Sequence, residues 1–271
     1  MVYNDLSAKL TLMPDIPSFW IDGGPHNPIK IEPTWRQFVR QIGGKVIDDD
    51  LPQPRSFENA DFLFPEISVI AELKEIETEF SSSPRFRNGY SSLMKRVMAE
   101  NPSWRPLLLG GDESYPNCFT QEFIRLFRPP LSRILKKANR QLRETKTHFK
   151  IQSATGILLL VNDGLQSIGP NLIRAQTSEL LLHSYSSIDC CVLMTINSYI
   201  EIAGSDVPRM LWVPTYSDRA PDALVDFIDT LGRKWFDYIE EIIEPYTSRT
   251  ELGQKTDVLH DSKYIVLPND K

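Results

Sequence analysis

Two acids and a lysine carry the most chemistry in this chain. They lie in Asn59–Glu77, NADFLFPEISVIAELKEIE, which reads as two apolar strands joined by a turn at Pro65-Glu66. The strands are expected at Ala60–Phe64 and Ser68–Ile76, where β-branched and aromatic residues crowd, and Pro65 begins a turn but cannot extend a ladder. Asp61, Glu72 and Lys74 interrupt the apolar runs. In an antiparallel hairpin the numbers of paired residues have a constant sum. A turn centred between Glu66 and Ile67 therefore sets Asp61 opposite Glu72, with Cβ atoms roughly 5 Å apart. Alternation along the strand adds Lys74 to the same face. Two carboxylates that close resist joint ionisation unless a cation sits between them. One or two carboxylates, with water and phosphate in the remaining positions, suit Mg²⁺, with Mn²⁺ as its substitute.

The pattern Asp61, ten residues, then Glu72-Leu73-Lys74 resembles the motif of the PD-(D/E)XK nuclease superfamily. The resemblance implies metal ligation by Asp61, Glu72 and the Leu73 backbone carbonyl, and a Lys74 that orients or activates the attacking water. Ala60 stands where that motif has proline. Some members place a further acid on the preceding helix. Glu32 is the acid available here, just before the Pro33 taken to open a helix with the apolar face Trp35, Phe38, Val39 and Ile42. A charge favourable to the helix dipole is the plainer role for Glu32.

A second element points to an anion. Pro130–Phe149, PLSRILKKANRQLRETKTHF, reads as a helix with Leu131, Ile134, Leu135, Ala138 and Leu142 on its apolar side. Its polar side holds six basic residues, Arg133, Lys136, Lys137, Arg140, Arg143 and Lys146, against Glu144 alone. A bland surface helix mixes signs; a stripe of one sign on an acidic protein suggests nucleic-acid backbone. Lys137-Ala138-Asn139-Arg140-Gln141-Leu142 also resembles the K-A-x-x-Q-L wording of the helix after E-x-K in the superfamily. That implies a Gln141 turned toward water or phosphate at the site. Arg85, Arg87, Lys95 and Arg96 are further candidates for phosphate contact. They fall in a loop-like stretch, Thr78–Gly89, and a helix, Tyr90–Met98, inside an insertion at about 78–120.

The elements that must hold these groups follow in order. Residues 1–30 are rich in Pro and Gly and read as an arm with a short strand at Ser18–Ile21; Asp22 and His26 in it are turn residues. Asp48-Asp49-Asp50 reads as a solvated loop. Gly156–Val161 and Ser187–Asn197 read as strands buried on both faces, with a helix from near Pro170 between them. The expected fold is α/β, a restriction-endonuclease-like mixed sheet flanked by helices, over residues 31–200. Residues 201–271 would form a C-terminal extension with a short edge strand at Met210–Val213 and a last apolar stretch at Tyr264–Leu267. It also holds a long amphipathic helix, Pro221–Ile243, which packs on the core or serves a homodimer or protein partner.

Composition narrows the classes. Hydrophobic residues at 41% and charged residues at 24% are ordinary for a soluble globular protein. The net charge of −6 argues against a general nucleic-acid coat and confines DNA contact to one face. No apolar run nears the roughly 20 residues that span a bilayer. No secretory leader is evident, and Cys118, Cys190 and Cys191 have neither disulfide-framework nor zinc spacing, so a cytoplasmic setting is expected. No phosphate-binding glycine loop supports a small-metabolite enzyme. His26, His148, His183 and His260 have no nucleophile context. The expectation is thus a Mg²⁺-dependent endonuclease acting on DNA, as in restriction or phage defence. The alternative is a catalytically inactive nuclease-fold protein that binds nucleic acid or protein.

Overall fold

The computed structural model describes residues 26–52, 57–105, 115–202, 207–243, 245–246, 248–251, 256–260 and 262–265. The strand expected at Ser18–Ile21 and Asp22 lie outside them.

In chain order the elements are α1 (Ile31–Gln41), β1 (Lys45–Val46), α2 (Ile47–Asp50), β2 (Phe62–Phe64), β3 (Val69–Ile76), α3 (Pro84–Glu100), α4 (Asn117–His148), β4 (Thr155–Asn162), α5 (Pro170–His183), β5 (Cys190–Met194), β6 (Tyr199–Glu201), β7 (Trp212–Tyr216), α6 (Asp222–Ile242) and β8 (Lys263–Ile265). The fold is mixed α/β. Six strands form one sheet in the order β1-β2-β3-β4-β5-β7. The central pairs β3/β4 and β4/β5 are parallel, and the outer pairs are antiparallel. Strands β6 and β8 make a separate two-stranded ladder. Strand β7, from the segment expected to be an extension, is the last strand of the main sheet.

Strand periodicity divides the apolar side chains between two layers. Ile70 and Ile76 of β3 and Leu158 and Leu160 of β4 meet Leu131, Leu135, Ala138 and Leu142 of α4 and Ile173 and Leu181 of α5. Ala71 and Leu73 of β3 and Ile157, Leu159 and Val161 of β4 meet Trp35 and Phe38 of α1 and Leu231 and Trp235 of α6. The indoles of Trp35 and Trp235 stack at 4.1 Å and 9° between α1 and α6. The apolar face of α6 is therefore occupied by the core, the first of the two roles expected for it.

Gly156 shows how tightly β4 and β5 are drawn together. A Cβ there would stand 1.9 Å from the Ser187 carbonyl oxygen. The Gly156 N–H is meanwhile held by the Asp189 carboxylate at 2.8 Å.

Several boundaries differ from the sequence reading. The helix expected from Pro130 begins at Asn117 and runs through Pro129 and Pro130. Its first third packs against α3 through Phe119, Leu93, Val97 and Trp104, and this contact sustains helix where two prolines discourage it. The stretch expected as loop at 78–89 is helical from Pro84, because the Ser83 hydroxyl accepts from the Phe86 N–H and Pro84 opens the first turn. Asp48-Asp49-Asp50 is not a loop but part of the short helix α2, whose Asp48 and Asp49 carboxylates are tied to Arg36 and Arg40 of α1. Among the described residues no helix is long and apolar enough to cross a membrane.

Candidate functional site

The β2/β3 register pairs Phe62 with Ala71, Leu63 with Ile70 and Phe64 with Val69. Each pair sums to 133, the sum set by a turn centred between Glu66 and Ile67. Three residues, Pro65–Ile67, make that turn as a single 3₁₀ turn, and Ser68 closes it in the left-handed region at φ 52. The ladder ends at Phe62–Ala71, one position short of Asp61 and Glu72. The chain there is no longer a ladder strand, yet Asp61 keeps two bonds to β3. Its N–H donates to the Ala71 carbonyl at 3.1 Å. Its Oδ2 accepts the Leu73 N–H at 2.7 Å.

Glu72 is fully buried on the α4 side of the sheet. One of its oxygens, Oε1, is paired with the Lys74 ammonium. The other, Oε2, is buried with no hydrogen-bond partner. Burial first, and the Asp61 charge second, push the Glu72 carboxyl up to about 8, against the opposing pull of Lys74. Burial also raises Asp61, and Glu32 and Asp48 add to the effect, while the Leu73 N–H and Lys74 oppose it. The Leu73 N–H points to the Asp61 side of β3, and a strand residue directs its N–H and C=O to the same side. The Leu73 carbonyl therefore faces the same margin as the Asp61 carboxylate.

Helix α4 closes this margin along the segment 57–61. Gln141, buried, donates from Nε2 to the Asn59 carbonyl at 3.0 Å, and its Oε1 is buried without a partner. The Thr145 hydroxyl accepts the Ala60 N–H at 2.7 Å. Arg140 meets Glu58 at 2.6 Å. Lys137 acts on the charge of both Glu72 and Glu58. Gln141 thus fixes the approach to Asp61 through a backbone carbonyl, and its amide oxygen remains an unsatisfied buried acceptor.

The other predicted residues divide into those gathered here and those that are not. Glu32 lies within the first turn of α1 rather than ahead of the helix, and bonds Arg36 at 3.0 Å. Arg36 also donates to Asp48 at 2.7 Å, and Asp48 in turn accepts from the Asn59 amide at 2.7 Å. The resulting chain Glu32–Arg36–Asp48–Asn59 flanks Asp61. Sequence reasoning missed Arg36, Asp48 and Asn59 because their bonds join residues 11 and 12 apart without a local motif. Arg133, Lys136, Lys137, Arg140 and Arg143 do line one exposed face of α4. Lys146 does not: it is buried on the opposite side and faces Asp189 at 3.9 Å, and burial lowers its pKa. It stands four residues after Leu142, hence on the apolar side of the helix. Arg85, Arg87, Lys95 and Arg96 are exposed on α3. That helix packs on the first third of α4, which reaches Leu126, about 16 Å along the axis from Lys137. Arg96 pairs there with Glu122 at 3.4 Å.

A cavity of about 690 Å³ lies elsewhere. Its lining runs from His26 to Thr34 and includes Ile242 and Ile243. Among the described residues no group of three or more His, Cys, Asp or Glu side chains is placed to hold a metal ion. The hairpin supplies two carboxylates and a backbone carbonyl instead. These are hard oxygen donors, few in number, of the kind that leave most of an octahedral shell to water and phosphate. The unpartnered Glu72 Oε2 and the raised carboxyls fit a cation that compensates them. Comparison with family models, with curated proteins and with solved structures returned no match.

Proposed function

We propose that this protein is a Mg²⁺-dependent nuclease of the PD-(D/E)XK kind, with a restriction-endonuclease-like fold, that hydrolyses phosphodiester bonds in DNA. The observation that carries the reading is a fully buried Glu72 whose Oε2 lacks any donor, next in sequence to Leu73, whose N–H is held by Asp61. Asp61, Glu72 and the Leu73 carbonyl would hold the ion. When bound, the ion would lower the pKa of a ligated water and neutralise charge on the phosphate. Lys74 reaches the same carboxylate from a partly exposed position, where its ammonium can orient a water and stabilise charge developing on phosphate. Gln141 and Thr145 fix the segment that carries Asp61. Lys137, Lys136 and Arg143 offer cations to the nucleic-acid backbone beside it.

The test is nicking of plasmid DNA with Mg²⁺ or Mn²⁺ by the parent protein beside Lys74→Ala and Asp61→Ala. Metal-dependent nicking lost in both variants is expected. Absence of both nicking and calorimetric metal binding in the parent would refute the enzyme and leave a nuclease-fold binding module.

A further inference from the structure

We infer that the exposed face of α4 is a track for single-stranded DNA, ending in an aromatic stop made by Phe57 and His148. The inference rests on the nuclease reading only for where the strand leads. Arg133, Lys136, Lys137 and Arg143 lie on one exposed face of the helix. Within that row Lys137 is the residue whose charge acts on Glu72. At the C-terminal end of the same helix the His148 ring stacks on Phe57 at 4.5 Å and 25°. The His148 and Phe149 rings also meet nearly perpendicular, at 5.1 Å and 86°. His148 is nevertheless exposed, so a planar base can extend the stack from outside. The segment that carries Phe57 is the one that delivers Asp61. Glu58 bonds Arg140, and its N–H donates to Glu144 at 3.2 Å, which locks the aromatic pair to the site through four residues of chain.

Geometry selects an unpaired strand. Lys137 and His148 are about 16 Å apart along the axis, a distance that a few nucleotides of unpaired strand can span. The charge row is one helix wide and matches a single backbone. A ring platform gains little from a duplex, whose bases are already stacked on both sides, but stacks an unpaired base whatever its identity.

The experiment is fluorescence anisotropy in EDTA, where no cleavage intervenes, with a labelled oligothymidylate and a labelled duplex of equal length. The parent is expected to prefer the single strand by at least ~10-fold. His148→Ala should weaken oligothymidylate binding ~5–100-fold, His148→Phe should restore it, and Lys136→Ala should reduce the log–log salt slope by about 0.7. Equal or tighter duplex binding, or an effect of His148→Ala below about twofold, overturns the inference. Binding that behaves as expected while the plasmid assay fails upholds the track and removes the nuclease reading. Metal-dependent cleavage with failed binding removes the track alone.

Discussion

Replacing Glu72 with Gln should stabilise the metal-free protein, and increasingly so as pH rises. In the folded chain the carboxyl is fully buried and its pKa stands at about 8, against an ordinary value of 4.5. The unfolded chain releases this proton near the ordinary value, while the folded chain retains it until about pH 8. Between those limits the folded state binds more protons, so its stability falls as pH rises. The loss attributable to Glu72 is about 2 kcal/mol at pH 6 and about 4 kcal/mol at pH 8 relative to strongly acid solution. Gln keeps the shape of the neutral acid and has no proton to lose. Urea unfolding followed by circular dichroism in EDTA should therefore show the variant-minus-parent difference growing by about 2 kcal/mol between pH 6 and pH 8. Other titrating groups are common to both proteins and cancel. A difference that stays flat to within ~0.5 kcal/mol, or that shrinks with pH, refutes the claim that burial and Asp61 oppose ionisation of Glu72.

Other perturbations test the frame around the site. Gly156→Ala sets a methyl against the Ser187 carbonyl and should cost ~3 kcal/mol or more in urea unfolding, because β4 and β5 must separate to admit it. Glu79 accepts from the Gln166 and Ser167 amides at 2.9 Å and from the Ser167 hydroxyl at 2.6 Å. Burial alone would raise this carboxyl, but these bonds hold it below the ordinary range, so Glu79→Ala should lose ~1–3 kcal/mol at neutral pH, with the difference shrinking as the parent's acid is protonated below its ordinary value. Asp163 holds the Ile196, Asn197 and Ser198 amides at 3.0–3.2 Å, and Asp163→Ala should speed hydrogen exchange in that loop before it affects β4.

The hairpin was legible in the sequence because two signals agreed. Pro65 located the turn, and period-2 alternation through Ser68–Ile76 fixed the face on which Glu72 and Lys74 lie. The register then followed by counting. The basic face of α4 was legible from its 3.6-residue period, although Lys146 was assigned to it against that same period. Its start was not, because Pro129-Pro130 is a strong local boundary signal and the contact that overrides it comes from α3, more than twenty residues upstream. The start of helix α3, expected only from Tyr90, was hidden by Ser81-Ser82-Ser83-Pro84. That composition also describes a loop, and it becomes a cap only once Ser83 is seen to accept the Phe86 N–H. Asp48 and Asn59 carried no local pattern at all. Their significance arises from Arg36, one helix away, which draws three acids toward the margin that Asp61 occupies.

The cost of this arrangement says something about why it persists. A leucine at position 72 would continue the alternation of Ile70 and Ile76 into the α4 layer without an ionisable group. Instead the sheet buries an acid within reach of a second acid's charge, satisfies one oxygen with Lys74, and leaves the other without a donor. Nothing in the packing requires that, and local–global conflicts of this sort concentrate where function overrides foldability. A divalent cation between Asp61 and Glu72 would turn the conflict into an attraction, and it would do so more strongly at pH 8 than at pH 6, because it must displace the proton at the lower pH. If the cation is real, Mg²⁺ should raise the melting temperature of the parent more at the higher pH and leave Glu72→Gln nearly unmoved. A parent indifferent to Mg²⁺ at both pH values would mean that the buried acid serves a purpose other than metal binding.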